Sequence, residues 1–130
     1  MSDLEIGEPS VIQSHKDLKV WQELVELVTT VYALTDKFPS MEKYGLVSQM
    51  RRAAVSVPAN IAEGSARQST KELLNYLSIA RGSLAELDTQ LEIATRVGFL
   101  RTIPDDISAR IDEVGRMITG LQRSLRAKLH

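Results

Sequence analysis

The side chains able to do chemistry are few, and most lack the partners that chemistry needs. His15 and His130 are the two histidines, one near each end of the chain, and neither has a companion at metal-ligand spacing. No Glu-x-x-His pair occurs, so the two-iron centre that helical bundles build on facing helices is not encoded. Glu63 and Glu86 offer a general acid/base pair, but carboxylates beside arginines are far more often solvated than catalytic. Ser56, Ser65, Ser69, Ser78 and Ser83 have no histidine base, and no glycine-rich phosphate loop is present. The absence of cysteine removes disulfides, thiol nucleophiles and thiolate metal sites together. These residues predict no catalytic group, no metal and no cofactor; an unrecognised carboxylate site is the weakest of the functional readings.

Cations are better organised. Between Lys43 and Arg81 lie Lys43, Arg51, Arg52, Arg67, Lys71 and Arg81 against only Glu63 and Glu72, a local charge of +4. Arg116, Arg123, Arg126 and Lys128 then close the chain with no acid after Glu113. Such patches bind phosphates by charge and counterion release without reading base sequence. The alternative is a set of solvated helix faces paired with neighbouring acids. Aromatic residues make up 5% of the chain, and no run of them suggests a stacking platform for single strands.

Length and charge set the frame for these residues. The 130-residue chain suits one domain, with 43% hydrophobic and 25% charged residues and a formal net charge of -1. Residues 1–13 hold Asp3, Glu5 and Glu8 with no cation, and Gly7 and Pro9 oppose a helix, so they read as a flexible acidic tail on a folded unit of residues 14–130. Without those three acids the remainder carries 16 cations against 14 anions, or +2. Neither a secretory signal nor an 18-residue apolar run is evident, which predicts a cytoplasmic protein with no membrane partner.

Four segments have helical periodicity. Trp21, Leu24, Val28, Val31, Thr35 and Phe38 mark the first, with Ser14 and Asp17 as candidate caps and Pro39 as its end. Val47, Met50, Ala54, Val57 and Ile61 mark a second from Ser40 to about Ser65, in which Pro58 predicts a kink or break and Gly64 a stop. Leu73, Leu77, Ala80, Leu84, Leu87, Leu91 and Ala94 alternate steps of four and three, between a Ser69/Glu72 capping box and Gly98. The fourth opens at Pro104 and runs through Ile107, Ile111, Val114, Ile118, Leu121 and Leu125. Short connections between such helices predict an all-α, left-handed, up-down-up-down antiparallel four-helix bundle.

The first segment carries more apolar residues than one narrow stripe uses. Val20, Leu27 and Leu34 lie on one flank of it, and Val25 and Tyr32 on the other. They fit either a wide core-facing surface or a contact with a second copy of the chain. Gly82, in the small-residue run Ala80 to Ala85, costs about 1 kcal/mol relative to alanine inside a helix, and close approach of another helix is one reason to keep it.

The run from Gln49 to Gly64, QMRRAAVSVPANIAEG, together with DLKVWQ at Asp17, VYALT at Val31, Phe38-Pro39, YGL at Tyr44 and ARGSLAEL at Ala80, resembles the four-helix-bundle proteins known as 23S rRNA intervening-sequence proteins. The similarity spans about Asp17 to Leu125. It implies a bacterial cytosolic protein whose four-helix subunits form a homopentameric ring, related to nucleic-acid-binding accessory proteins of a retroelement reverse transcriptase. It carries over no catalytic residue. The near-neutral charge departs from the strongly basic relatives. Within the motif, Pro58 is expected to fix a bend, with Asn60 and Gln49 satisfying the backbone groups it frees. Arg51, Arg52 and Arg67 are the leading candidates for phosphate or intersubunit carboxylate contacts, a salt bridge from Arg51 to Glu63 or Glu86 being the alternative. Lys71, Arg81, Arg123 and Arg126 complete the candidate nucleic-acid set, and Val20, Val25, Leu27, Tyr32, Leu34 and Gly82 form the candidate interface. Two functional readings follow: an oligomer that binds RNA or DNA, and a scaffolding oligomer that recruits a protein partner.

Overall fold

The computed structural model describes residues 14–129, and the expected acidic tail lies outside them. Four long helices, α1 (Lys19–Thr35), α2 (Leu46–Ser65), α3 (Thr70–Arg96) and α4 (Asp105–Ala127), account for most of these residues, and no strand occurs among them. Single 3-10 turns precede α1, at His15–Asp17, and α2, at Ser40–Glu42. Contacts join α1 to α2, α2 to α3, α3 to α4 and α4 back to α1, so each helix has two neighbours around one core. No described helix is long and apolar enough to cross a membrane.

That ring of neighbours favours the wide core-facing surface for one flank of α1. Val20 and Leu27 are 4% and 1% exposed and belong to the subunit's own core with Leu24 and Val31, whereas Trp21 and Val28 are only half-buried. A helix wedged between two neighbours must bury a wide face, and here the face is turned toward the Val20 and Leu27 row. Those two residues therefore leave the candidate interface. Leu34 packs against the same core while partly exposed, Val25 is half-buried, and Tyr32 and Gly82 face solvent.

Helix α2 starts at Leu46, six residues later than expected, because the chain first spends a 3-10 turn after Pro39. It then runs without a break through Pro58, which is buried. Asn60 donates to the Ser56 carbonyl at 2.8 Å and to its hydroxyl at 3.0 Å, while the acceptor that Pro58 leaves without its helical donor is the carbonyl of Ala54, one turn back. Gly64 is not the stop that its place in the sequence suggests. It lies inside α2, and a Cβ there would sit 2.7 Å from the Cβ of Tyr76 and 3.0 Å from Leu73 Cδ1, so α2 and α3 are too close at this point for a side chain.

At the ends of α3, Ser69 is the N-cap, supplying the Ser69 half of the expected capping box, and Gly98 follows the last turn. The Ser69 hydroxyl accepts from the Glu72 N–H at 3.0 Å. At the other end Gly98, with φ of +92°, lets the Phe99 N–H reach the Ala94 carbonyl and its own N–H reach that of Thr95, a Schellman ending. Phe99 then meets Phe38 with ring centroids 5.7 Å apart, tying the α3–α4 connection to the end of α1. Between α3 and α4, buried Gln122 accepts from Arg81 and donates to Ser78, each at 3.2 Å. Glu23 and Arg110, both within the first two turns of their helices, form a 2.6 Å ion pair between α1 and α4.

Candidate nucleic-acid interface

The seven cations singled out from the sequence fall into separate places. Arg51 and Arg52 line a groove of about 570 Å³ beside α2, together with Tyr32, Lys43, Tyr44 and Val55. Arg81 and Arg123 join Arg116 in a groove between α3 and α4 that also holds Asp88 and Asp112. Lys71 and Arg126 share a third, with Glu72 on its wall. Arg67 stands apart at the α2–α3 turn.

Charge balance separates these surfaces. The α3–α4 groove sets three cations against two carboxylates, and the third groove two against one. Among the described residues, the α2 groove is lined by three cations and no carboxylate. Of the three grooves it has the largest excess of lining cations over lining carboxylates.

Local structure explains how that groove forms. After Pro39 the 3-10 turn brings Glu42 under the start of α2, where its carboxylate accepts from the Leu46 N–H at 3.1 Å. Residues 43 and 44 are thereby held at the mouth of α2, and Tyr44 is 88% exposed with Lys43 Nζ 5.6 Å from its ring centre. Tyr32, 42% exposed, reaches the same groove from the last turns of α1.

Arg51 has a structural task. Its Nε donates to the Thr35 hydroxyl at 2.9 Å, its Nη2 donates to the Tyr32 carbonyl at 3.2 Å, and its guanidinium lies 4.4 Å over the Tyr32 ring. Asp36 stands 3.8 Å away. These contacts place a cation against the C-terminal end of α1, the favourable sign for that end of a helix. Neither Glu63 nor Glu86, the partners expected from sequence, takes part. Arg67 is similarly engaged: it donates to the Tyr76 hydroxyl at 2.7 Å and to Glu63 at 3.1 Å. The hydrogen bond to Tyr76, and then the charges of Glu63 and Glu72, raise its pKa above the ordinary arginine value. Lys43 and Arg52 remain as the exposed cations of the α2 groove.

The aromatic component of this surface is absent from the sequence reading. Tyr32 and Tyr44 lie twelve positions apart, one on a helix and one in a connection, so no periodicity links them. The available signal was the adjacency of Lys43 and Tyr44 between Pro39 and Gly45, an aromatic beside a cation in a turn. No group of three or more metal-ligating side chains is found among the described residues.

No curated protein matches the chain. The family model described as 23S rRNA-intervening sequence protein matches residues 16–120, which include all four helices but the last two turns of α4. The chain belongs to the 23S rRNA-intervening sequence protein family.

Proposed function

We propose that the protein is a non-enzymatic cytoplasmic homo-oligomer, a pentamer of four-helix subunits, that binds RNA or another nucleic acid through basic surface. The observation that carries this reading is the α2 groove, whose lining holds Lys43, Arg51 and Arg52 and, among the described residues, no carboxylate. Repetition of the groove around a ring multiplies phosphate contacts without any further residue in the subunit. We also read the helices as alternating in direction within a left-handed bundle. Opposed numbering supports the alternation: Ser56 meets Ser83 while Gly64 faces Tyr76, and Arg81 meets Gln122 while Leu84 faces Gly115. The Glu23–Arg110 pair, between early turns of both α1 and α4, does not follow that opposed numbering.

The test is an anisotropy titration with labelled RNA and DNA at 50 and 200 mM salt. Affinity is expected to fall steeply with salt, and absence of binding at the lower concentration overturns the reading. Light scattering at about five times the 14.5 kDa subunit mass is expected, and a monomer at every concentration excludes the ring. Exposed Val55 and Ile79, with open space around Gly82, favour the second reading of a scaffold that recruits a protein partner. An intact oligomer with no affinity for nucleic acid would select it.

A further inference from the structure

We propose that the α2 groove takes an unpaired nucleotide strand, stacking a base on the open face of Tyr44 while Lys43 and Arg52 hold the flanking phosphates. This rests on the nucleic-acid reading above and narrows it to single strands. Tyr44 is 88% exposed, the barest aromatic residue among those described, and buries little in the fold. Lys43 Nζ approaches it at 5.6 Å, and Arg52 lines the same groove. Tyr32 differs: it is 42% exposed, and the guanidinium 4.4 Å over its ring is fixed by hydrogen bonds to Thr35 and the Tyr32 carbonyl, whereas the Lys43 ammonium over Tyr44 is on an exposed side chain. A duplex keeps its base faces stacked on one another and presents only edges and phosphates, whereas an unpaired base offers a π-face. The pairing of a bare ring with adjacent cations suits the second ligand, and cations alone would serve either.

The experiment titrates the full chain with labelled 12-nucleotide oligo-U RNA, the matching oligo-dT, and a blunt 12-base-pair duplex. The wild type is expected to prefer single strands, and the RNA and DNA arms identify which polynucleotide is the better ligand. Tyr44→Ala should weaken single-strand binding about tenfold while leaving the duplex unchanged, and Tyr44→Phe, which keeps the ring, should restore it. Arg52→Ala should weaken both and flatten the salt dependence. Thermal melts of each variant separate lost binding from lost folding. Equal loss on single strands and duplex in Tyr44→Ala, or no loss on either, overturns the stacking proposal while leaving electrostatic binding in place. Displacement of RNA by poly-glutamate of matched charge as readily as by unlabelled RNA also overturns it. No binding to any nucleic acid overturns both.

Discussion

A Cβ built on Gly64 comes within 2.7 Å of the Cβ of Tyr76, so the two helices that carry these residues meet at a distance only glycine permits. Tyr76 Cβ is fixed to its backbone and cannot swing aside as a side-chain tip could. Gly64→Ala should therefore push α2 and α3 apart. Overpacking of this kind costs about 1–3 kcal/mol, and the gain in helix propensity returns at most about 1. A net fall in stability, read as a lower melting temperature, is expected.

Gly82 provides the contrasting case, since a Cβ there meets nothing within 4 Å. Gly82→Ala should stabilise the subunit by up to about 1 kcal/mol. If Gly82 lies where another copy approaches, the same methyl group should shift the oligomer toward smaller species. Denaturant melts and light scattering on one preparation read the two effects separately.

Arg51→Ala removes the guanidinium from the Thr35 hydroxyl, the Tyr32 carbonyl and the Tyr32 ring together. A loss of about 1–2 kcal/mol is expected, from two hydrogen bonds and a half-buried stack. Arg51→Lys should recover little of it, because an ammonium cannot hold that planar arrangement. Arg52→Ala, on an exposed position one residue away, should change stability by less than about 0.5 kcal/mol. Chemical denaturation of the three variants checks the order.

The Glu23–Arg110 ion pair is partly screened from water, with side chains 29% and 32% exposed, while Arg96 and Glu92 form an i,i+4 pair on the surface of α3. A double-mutant cycle should give a coupling of about 1 kcal/mol for Glu23–Arg110 and about 0.3–0.5 for Glu92–Arg96. Raising salt should reduce the second more completely than the first. Equal couplings would remove Glu23–Arg110 as a fastening between α1 and α4.

Sequence spacing was enough to locate the helices because each carries apolar residues at steps of three and four, and the glycine and serine at the ends of α3 act through bonds to nearby residues. What spacing could not resolve was the direction each face takes. The row of Val20 and Leu27 looked like surplus beside the Trp21 and Val28 stripe, since a one-dimensional pattern does not reveal that α1 touches two helices at once. Gly64 looked like a terminator for a related reason: the group that demands a glycine there, Tyr76, belongs to the next helix. The basic residues were legible as types, but their neutralisation was not. Asp88 and Asp112 oppose the cations of the α3–α4 groove only once α3 and α4 pack, and Tyr44 joins Arg52 only once a turn folds it back beside α2.

The Arg51 clamp divides the groove's charge into two kinds. One cation is fastened to the end of α1 and cannot change without loosening that helix, while Lys43 and Arg52 touch little that the fold depends on. On the proposed nucleic-acid reading, the two unit charges at positions 43 and 52 tune attraction for phosphate with little effect on the fold, because both side chains are exposed. A protein of near-neutral total charge can in this way carry a locally strong or locally weak anion surface on the same scaffold, and the overall balance of lysines, arginines and acids is a poor guide to which it carries.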